Sequence, residues 1–562
     1  MTVSGVLTGV GVGRGAVVGP VVQVHPPAVV DPATAIGTDA ADAHRILEES
    51  FDAVAAGLQR QAAGAKGTLA EVLGATAQMA ADPALRQQSL ARVDAGEPVV
   101  AAVDAVVATF VEMFEAAGGY LAERVTDLRS IRDRVVAHAA GVPAPGVPEL
   151  AGPSVVVALD LAPADTATLD LERTLALVTQ EGGPTGHTAI IAGQLGIPCL
   201  VQVPGATRIP EGTEVAVDAA AGTVTIAPDE TVRAAADARA TALAGLAQST
   251  TPGRTRDGHT IALLANIGTA EDAERLTGAA VEGVGLFRTE VLFLGRDTAP
   301  SEDEQAETYR RALVALGGRK VVLRTLDAGA DKPLPFVTQA GEENPALGVR
   351  GFRLVRASED LLRTQLRAVA RAAEASGGEP WVMAPMVATV QEAAQFAALA
   401  REAGVRTVGV MVEIPAAALR ARDVLAEVDF VSLGTNDLAQ YTMATDRLRG
   451  ELADLLDLWQ PAVLDLVATT ADAGRDAGKP VGVCGESASD PLMALVLTGM
   501  GVTSLSMAPG AVPGVRFALS RHTLDECQGM ARAARAARTA PEGRAACLEL
   551  TDAEVRSVLA LG

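Results

Sequence analysis

The sequence predicts a multidomain protein: an α/β domain carrying an inserted all-α helical bundle, followed by a (β/α)8 TIM-type barrel. Three observations predict it. Short glycine-punctuated apolar runs open the chain and return after residue 150. Between them lies a block rich in Ala, Leu and Glu and almost without proline. From residue 258 onward, eight short apolar runs alternate with helical segments.

The opening text "SGVLTGVGVGRGAVVGPVVQV" reads as short strands joined by glycine turns. The pattern changes near Asp39. Leu47, Phe51, Val54 and Leu58 then recur at helical spacing, and four or five helices follow. The last of them, "GYLAERVTDLRSIRDRVVAHAAG", has glycine at both ends. Proline and glycine break the chain at "GVPAPGVPELAGP", after which strands return in "SVVVALDL", "LALVTQ", "PCLVQV" and "EVAVDAAAGTVTIAP". The helical block is therefore read as an insertion into an α/β domain begun by the N-terminal strands. A helix at 229–247 leads to "QSTTPGRTRDG", which has the composition of a linker. The resulting division is 1–24 with 142–228 for the α/β domain, 25–141 for the helical block, 229–257 for linker helix and linker, and 258–562 for the barrel.

The eight later runs are "TIALLANIG", "GVGLFRTE", "KVVLRTLDAG", "WVMAPMV", "TVGVMVEIP", "DFVSLGTND", "PVGVCGES" and "SLSMAPG". Continuous apolar strands separated by helices indicate a parallel sheet buried on both faces. An open doubly wound sheet would read similarly, but the count of eight favours a closed barrel.

Composition narrows the function. Apolar residues make up 49% and charged residues 20%, as in a globular soluble chain. No run resembles a membrane span, and the N-terminal text lacks the charged start and apolar core of a secretory signal. Four dispersed cysteines without CxxC spacing argue against a zinc site or a disulfide framework and suit the cytoplasm. A net charge of −23 argues against nucleic-acid binding and leaves room for a basic protein partner.

Barrel enzymes carry their chemistry at the C-terminal strand ends. Those ends here hold Asn266, Arg288, Glu290, Arg324, Asp327, Glu413, Asn436, Asp437 and Cys484. Glu413 and Asp437 read either as a hard-oxygen pair for Mg2+ or as two acids salt-bridged to the arginines. Arg288 and Arg324 offer planar forks for phosphate or carboxylate, and Arg447 could close over the same mouth. Cys484 is either an inert small hydrophobe or, at a barrel mouth, a thiol acid or base.

His187 is one of six histidines and lies in "EGGPTGHTAIIAG", before a short apolar helical stretch. A helix N-terminus with nearby Thr185 and Thr188 hydroxyls favours an anion and keeps the imidazole neutral and nucleophilic. The two readings are a structural histidine and a phosphate-handling one.

"GGPTGHTAIIAG" and "DFVSLGTNDLAQYTMATDR" resemble the two signatures of the phosphoenolpyruvate-utilising enzymes. With "GLFRTE", "LRTLDAGADK", "ENPALGVRG", "GVMVEIPAA" and "GVCGE", the similarity runs over most of the chain. The helical insert and "YLAERVTDLRSI" resemble the enzyme I branch, which serves the bacterial phosphotransferase system. That resemblance implies phosphoenolpyruvate bound by Arg288, Arg324, Asn436, Asp437 and Arg447, with Mg2+ held by Glu413 and Asp437. It implies that His187 becomes a phosphohistidine and that Cys484 protonates the leaving enolate to pyruvate. It further implies a swivelling histidine domain, a carrier protein HPr docked on the helical insert, and a cytoplasmic homodimer formed through the barrel. The text departs from the usual family pattern at Pro184 and Gly186, beside the histidine. Related dikinases and synthases would need an ATP-grasp domain, which the text before Gly182 is too short to supply.

Overall fold

The computed structural model describes residues 5–561 except 14, 27–28, 65–75, 118–124, 149, 162–168, 184–187, 190–191, 194–196, 295, 330–333, 338–341 and 447–449. The chain divides into two compact units, Met1–Ala238 and Arg239–Gly562.

The strands of the first unit are β1 (Gly5–Thr8), β2 (Val10–Val12), β3 (Ala16–Gln23), β4 (Ser154–Ala158), β5 (Thr174–Thr179), β6 (Cys199–Val201), β7 (Glu214–Asp218) and β8 (Thr223–Ile226). They form one sheet in the order β1-β8-β7-β3-β4-β5-β6-β2. β3 to β6 run parallel, and the remaining pairings are antiparallel. β1 and β2 occupy opposite edges although only Gly9 separates them, so the chain itself joins the two edges. That junction needs glycine. A Cβ on Gly9 would lie 2.7 Å from the Val201 carbonyl oxygen, and one on Gly11 only 1.6 Å from that of Ala219.

Helices Ala40–Gly64, Pro83–Asp94, Val99–Ala117 and Val125–Ala139 lie between β3 and β4. They have a core of their own, in which Leu47, Phe51, Val100, Val103, Ile131 and Val135 are all almost fully buried. Each such side chain contributes about 1.5–3 kcal/mol of burial, so this block has its own source of cohesion. The sheet is packed by two separate clusters around Val155, Val178 and Val217 and around Val156, Leu177 and Cys199. Alternating residues of β4 and β5 thus serve opposite faces, as the two-residue strand period requires.

The second unit is a closed barrel of β9 (Ala262–Ile267), β10 (Gly283–Arg288), β11 (Lys320–Arg324), β12 (Trp381–Ala384), β13 (Thr407–Val412), β14 (Phe430–Leu433), β15 (Val481–Val483) and β16 (Ser504–Met507). Every neighbouring pair is parallel, and β16 closes on β9 with Ser504 opposite Ala262. The eight-strand expectation is borne out. Val382, Val408, Val410 and Val431 are fully buried in the main core cluster of this unit. Capping boxes at Thr269, Ser301, Thr389 and Thr523 start four helices. Each satisfies backbone N–H groups left open by the first turn.

The stretch with linker composition is fastened to this unit. The Gly253 N–H donates to Glu282 Oε1 at 2.7 Å, and Ile261 N–H donates to the Gly253 carbonyl at 3.0 Å. Arg256 pairs with Glu526 at 2.9 Å. Among the described residues, no helix is long and apolar enough to cross a membrane.

Candidate active site

The strand ends bring most of the expected residues together at one mouth. Arg288 is the exposed last residue of β10, and Arg324 is the buried last residue of β11. Glu413 follows β13, and Asn436 and Asp437 lie in the first turn of helix Thr435–Thr442 after β14. Cys484 follows β15. Arg447 and His187 lie outside the described residues.

The mouth is organised by a chain of buried charges. Arg324 pairs with Glu290 and reaches Asp327 at 3.2 Å. Asp327 receives Arg350 Nε at 3.1 Å and Nη2 at 3.2 Å. The same guanidinium sends Nη1 and Nη2 to the two oxygens of Asp437, both at 3.2 Å. Arg350 is 1% exposed and Asp327 0%, so these are desolvated, directional contacts. Sequence reasoning missed Arg350. It sits in the loop after β11, away from any strand end, and its only signal was its place in "ENPALGVRG".

Glu413 accepts the Met386 N–H at 2.6 Å. Met386 has φ of 61°, an unusual conformation for a non-glycine residue, and this aims its N–H at the carboxylate. Burial, together with the carboxylates of Asp437 and Asp327, pushes the Glu413 carboxyl up to about 8. Four carboxylates (Glu290, Asp327, Glu413, Asp437) and two guanidiniums (Arg324, Arg350) are each no more than 8% exposed. Among the described residues, the buried mouth therefore holds more acids than guanidiniums. Glu290 Oε2 and Arg324 Nε are buried without a hydrogen-bond partner among the described residues.

These features fit a divalent cation. Mg2+ commonly takes one or two protein carboxylates and completes its shell with water and substrate oxygens. No cluster of three or more His, Cys, Asp or Glu ligands occurs among the described residues. Glu413 and Asp437 would therefore have to share such an ion with substrate. Asp437 is also salt-bridged to Arg350, so the two readings of this acid pair are compatible.

Cys484 is 4% exposed. Its N–H donates to the Leu433 carbonyl at 3.1 Å, which locks β15 against β14. Burial pushes its thiol up, so the sulfur holds its proton at neutral pH. Asn266 donates to the Cys484 carbonyl at 3.3 Å and accepts from Ser506 at 2.6 Å. Asn436 Oδ1 accepts the Glu486 N–H at 3.0 Å, joining the loops after β14 and β15. A Cβ on Gly485 would lie 2.0 Å from Thr435 Oγ1, so only glycine allows those loops to meet.

Family models match three segments of the chain. Residues 244–524 match the PEP-binding domain of PEP-utilising enzymes, 150–222 their mobile domain, and 8–124 their N-terminal domain. A phosphoenolpyruvate-protein phosphotransferase of Streptomyces coelicolor is 50% identical over 98% of this chain and 99% of its own length. The chain belongs to the PEP-utilising enzyme family. A phosphoenolpyruvate-protein phosphotransferase of Haloferax volcanii is 41% identical over 82% of this chain and 84% of its own. One from Bacillus subtilis is 39% identical over 75% and 76%, respectively. Within the family frame, His187 falls in the mobile-domain match, and Arg288 through Cys484 fall in the PEP-binding match.

Proposed function

We propose that this protein is a phosphotransferase that takes the phosphoryl group of phosphoenolpyruvate onto its own His187, passes it to the carrier protein HPr, and releases pyruvate. This is the first general step of a sugar phosphotransferase system. The observation that carries the reading is the buried carboxylate–guanidinium mouth at the strand ends, in a chain half identical to a phosphoenolpyruvate-protein phosphotransferase over nearly its whole length.

Each residue has a role that follows from its chemistry. Arg288, Arg324 and Arg447 present forked donors to the phosphate and carboxylate of the substrate. Asn436 supplies a side-chain amide, and Asp437, held by Arg350, faces the same substrate. Glu413 and Asp437 would hold Mg2+, whose charge, once bound, offsets negative charge developing on the enolate oxygen. The His187 imidazole attacks phosphorus in line as the bond to the enol oxygen breaks. Most of the acceleration in such transfers comes from positioning and charge stabilisation. The buried Cys484 thiol gives its proton to the enolate methylene carbon, leaving a thiolate and pyruvate.

HPr would dock on the helical block 25–141. His187 would have to serve both the mouth and that partner, which calls for a swivel of the 1–24 and 142–228 domain. We further propose a cytoplasmic homodimer built through the barrel region 258–562.

Incubation with phosphoenolpyruvate carrying labelled phosphate, with Mg2+, tests the reading. Acid-labile, base-stable label should appear on the chain, move to added HPr, and be absent in His187→Ala. Label persisting in that variant removes the reading.

A further inference from the structure

The interior of the barrel beneath Cys484 sets three serines and a lysine among apolar side chains. Side chains two apart on a strand share a face, so Gly482 lies on the inward face directly before Cys484. Gly482, Ser432, Ser504, Ser506, Gly285 and Lys320 line a small internal void there. It has room for about one water molecule, and hydroxyls on its walls to hold it. The void depends on glycine. A Cβ on Gly285 would lie 2.5 Å from Ser506 Oγ, and one on Gly482 2.7 Å from Ser504 Oγ. Val322 and Phe430 also line it, and with Leu286, Met383 and Met411 they form the apolar cluster of this interior.

The two ends of this void are chemically distinct. At the top, the buried Ser432 stands opposite Gly482 in the β14–β15 register, one inward position below Cys484, whose thiol donates to the Leu433 carbonyl at 3.6 Å. At the floor, the Lys320 ammonium lies 3.7 Å from the centre of the Trp381 ring. Lys320 and Trp381 are both half-buried, so the floor reaches solvent.

We propose that Cys484 regains its proton from inside the barrel, through Ser432, a water in the void, and Lys320. The inference rests on the reading of Cys484 as the enolate acid. After that step the thiolate is capped on the mouth side by pyruvate. The thiolate takes the Ser432 hydroxyl proton, the serine oxygen takes one from water, and the resulting hydroxide takes one from the Lys320 ammonium. The neutral amine is then reprotonated by bulk water at the floor. Burial lowers the Lys320 ammonium to about 8, which suits an amine that gives up and regains a proton near neutrality. Ser432 and Lys320 touch no substrate atom; they serve by restoring the thiol.

Rapid-quench measurement of pyruvate, with the full chain, Mg2+, phosphoenolpyruvate and excess HPr, tests the route. In Ser432→Ala and Lys320→Met, the first turnover should stay close to wild type while later turnovers slow by at least about fivefold. Ser432→Thr, which keeps the hydroxyl, should recover most of the later rate. A merely structural defect would slow both phases together. Later turnovers as fast as wild type in both variants, or equal slowing of both phases, overturns the route. Cys484→Ala is run alongside. A normal first turnover in that variant removes the underlying assignment of Cys484 and the route with it, whereas a slow one confines any failure to Ser432 and Lys320.

Discussion

Arg350 grips both oxygens of Asp437 at 3.2 Å while the same guanidinium holds Asp327, so a single loop arginine ties together acids that follow β11 and β14. Removing one partner of a buried ion pair strands the other, and that usually costs about 3–5 kcal/mol. Arg350→Met is expected to destabilise the protein by that order in urea unfolding and to abolish labelling by phosphoenolpyruvate. A loss well under about 1 kcal/mol would show that Asp327 and Asp437 do not depend on it.

Glu413 separates a metal role from a structural one. Chelating divalent cations should abolish labelling, and added Mg2+ should restore it. Glu413→Gln should raise the Mg2+ concentration needed by at least about tenfold. Without metal at pH 7, its unfolding free energy should move by no more than about 0.5 kcal/mol. The reason is that burial and the neighbouring carboxylates already keep Glu413 largely neutral below about 8. An unchanged Mg2+ requirement rejects the ligand role.

On the proposed reading, Cys484 is needed only where carbon is protonated. Cys484→Ala should form pyruvate at least about a hundredfold more slowly, the usual scale for a lost general acid. It should still accept a phosphoryl group from phospho-HPr at the wild-type rate. Equal losses in the two half-reactions count against the assignment.

Lys320 makes a prediction with a defined sign. Its ammonium is depressed to about 8 by burial, against 10.5 when unshifted. Below 8 both folded and unfolded chains carry the charge, and the folded chain bears the full cost of burying it. Between 8 and 10.5 the unfolded chain binds more protons, so stability rises with pH through this window. Lys320→Met should therefore stabilise the protein by about 1–3 kcal/mol at pH 7, and the gain should fade as pH approaches 10.5. Urea unfolding at pH 7 and 10 checks it. A destabilised variant at pH 7 would mean that the contact with Trp381 outweighs desolvation.

Much of this was legible because strand and helix periods are local. The apolar runs placed β9 to β16 in order, and a parallel barrel collects strand ends on one side, so the sequence already groups Arg288, Arg324, Glu413, Asp437 and Cys484. Leu47, Phe51, Val54 and Leu58 marked the buried face of the first long helix for the same reason.

Arg350 escaped because its partners are 23 and 87 residues away and its loop has no period to read. The serines under Cys484 escaped for a related reason. Ser432, Ser504 and Ser506 look like ordinary strand residues until closure turns them toward one void, where Gly285 and Gly482 leave them room. The sequence by itself determined which elements form, their order, and the strand ends where chemistry gathers, since each depends on residues a few positions apart. Only the tertiary structure decided which buried charges neutralise one another and which hydroxyls lie beneath the thiol. Those pairings are made through space, in a low-dielectric interior, between segments that no local pattern connects.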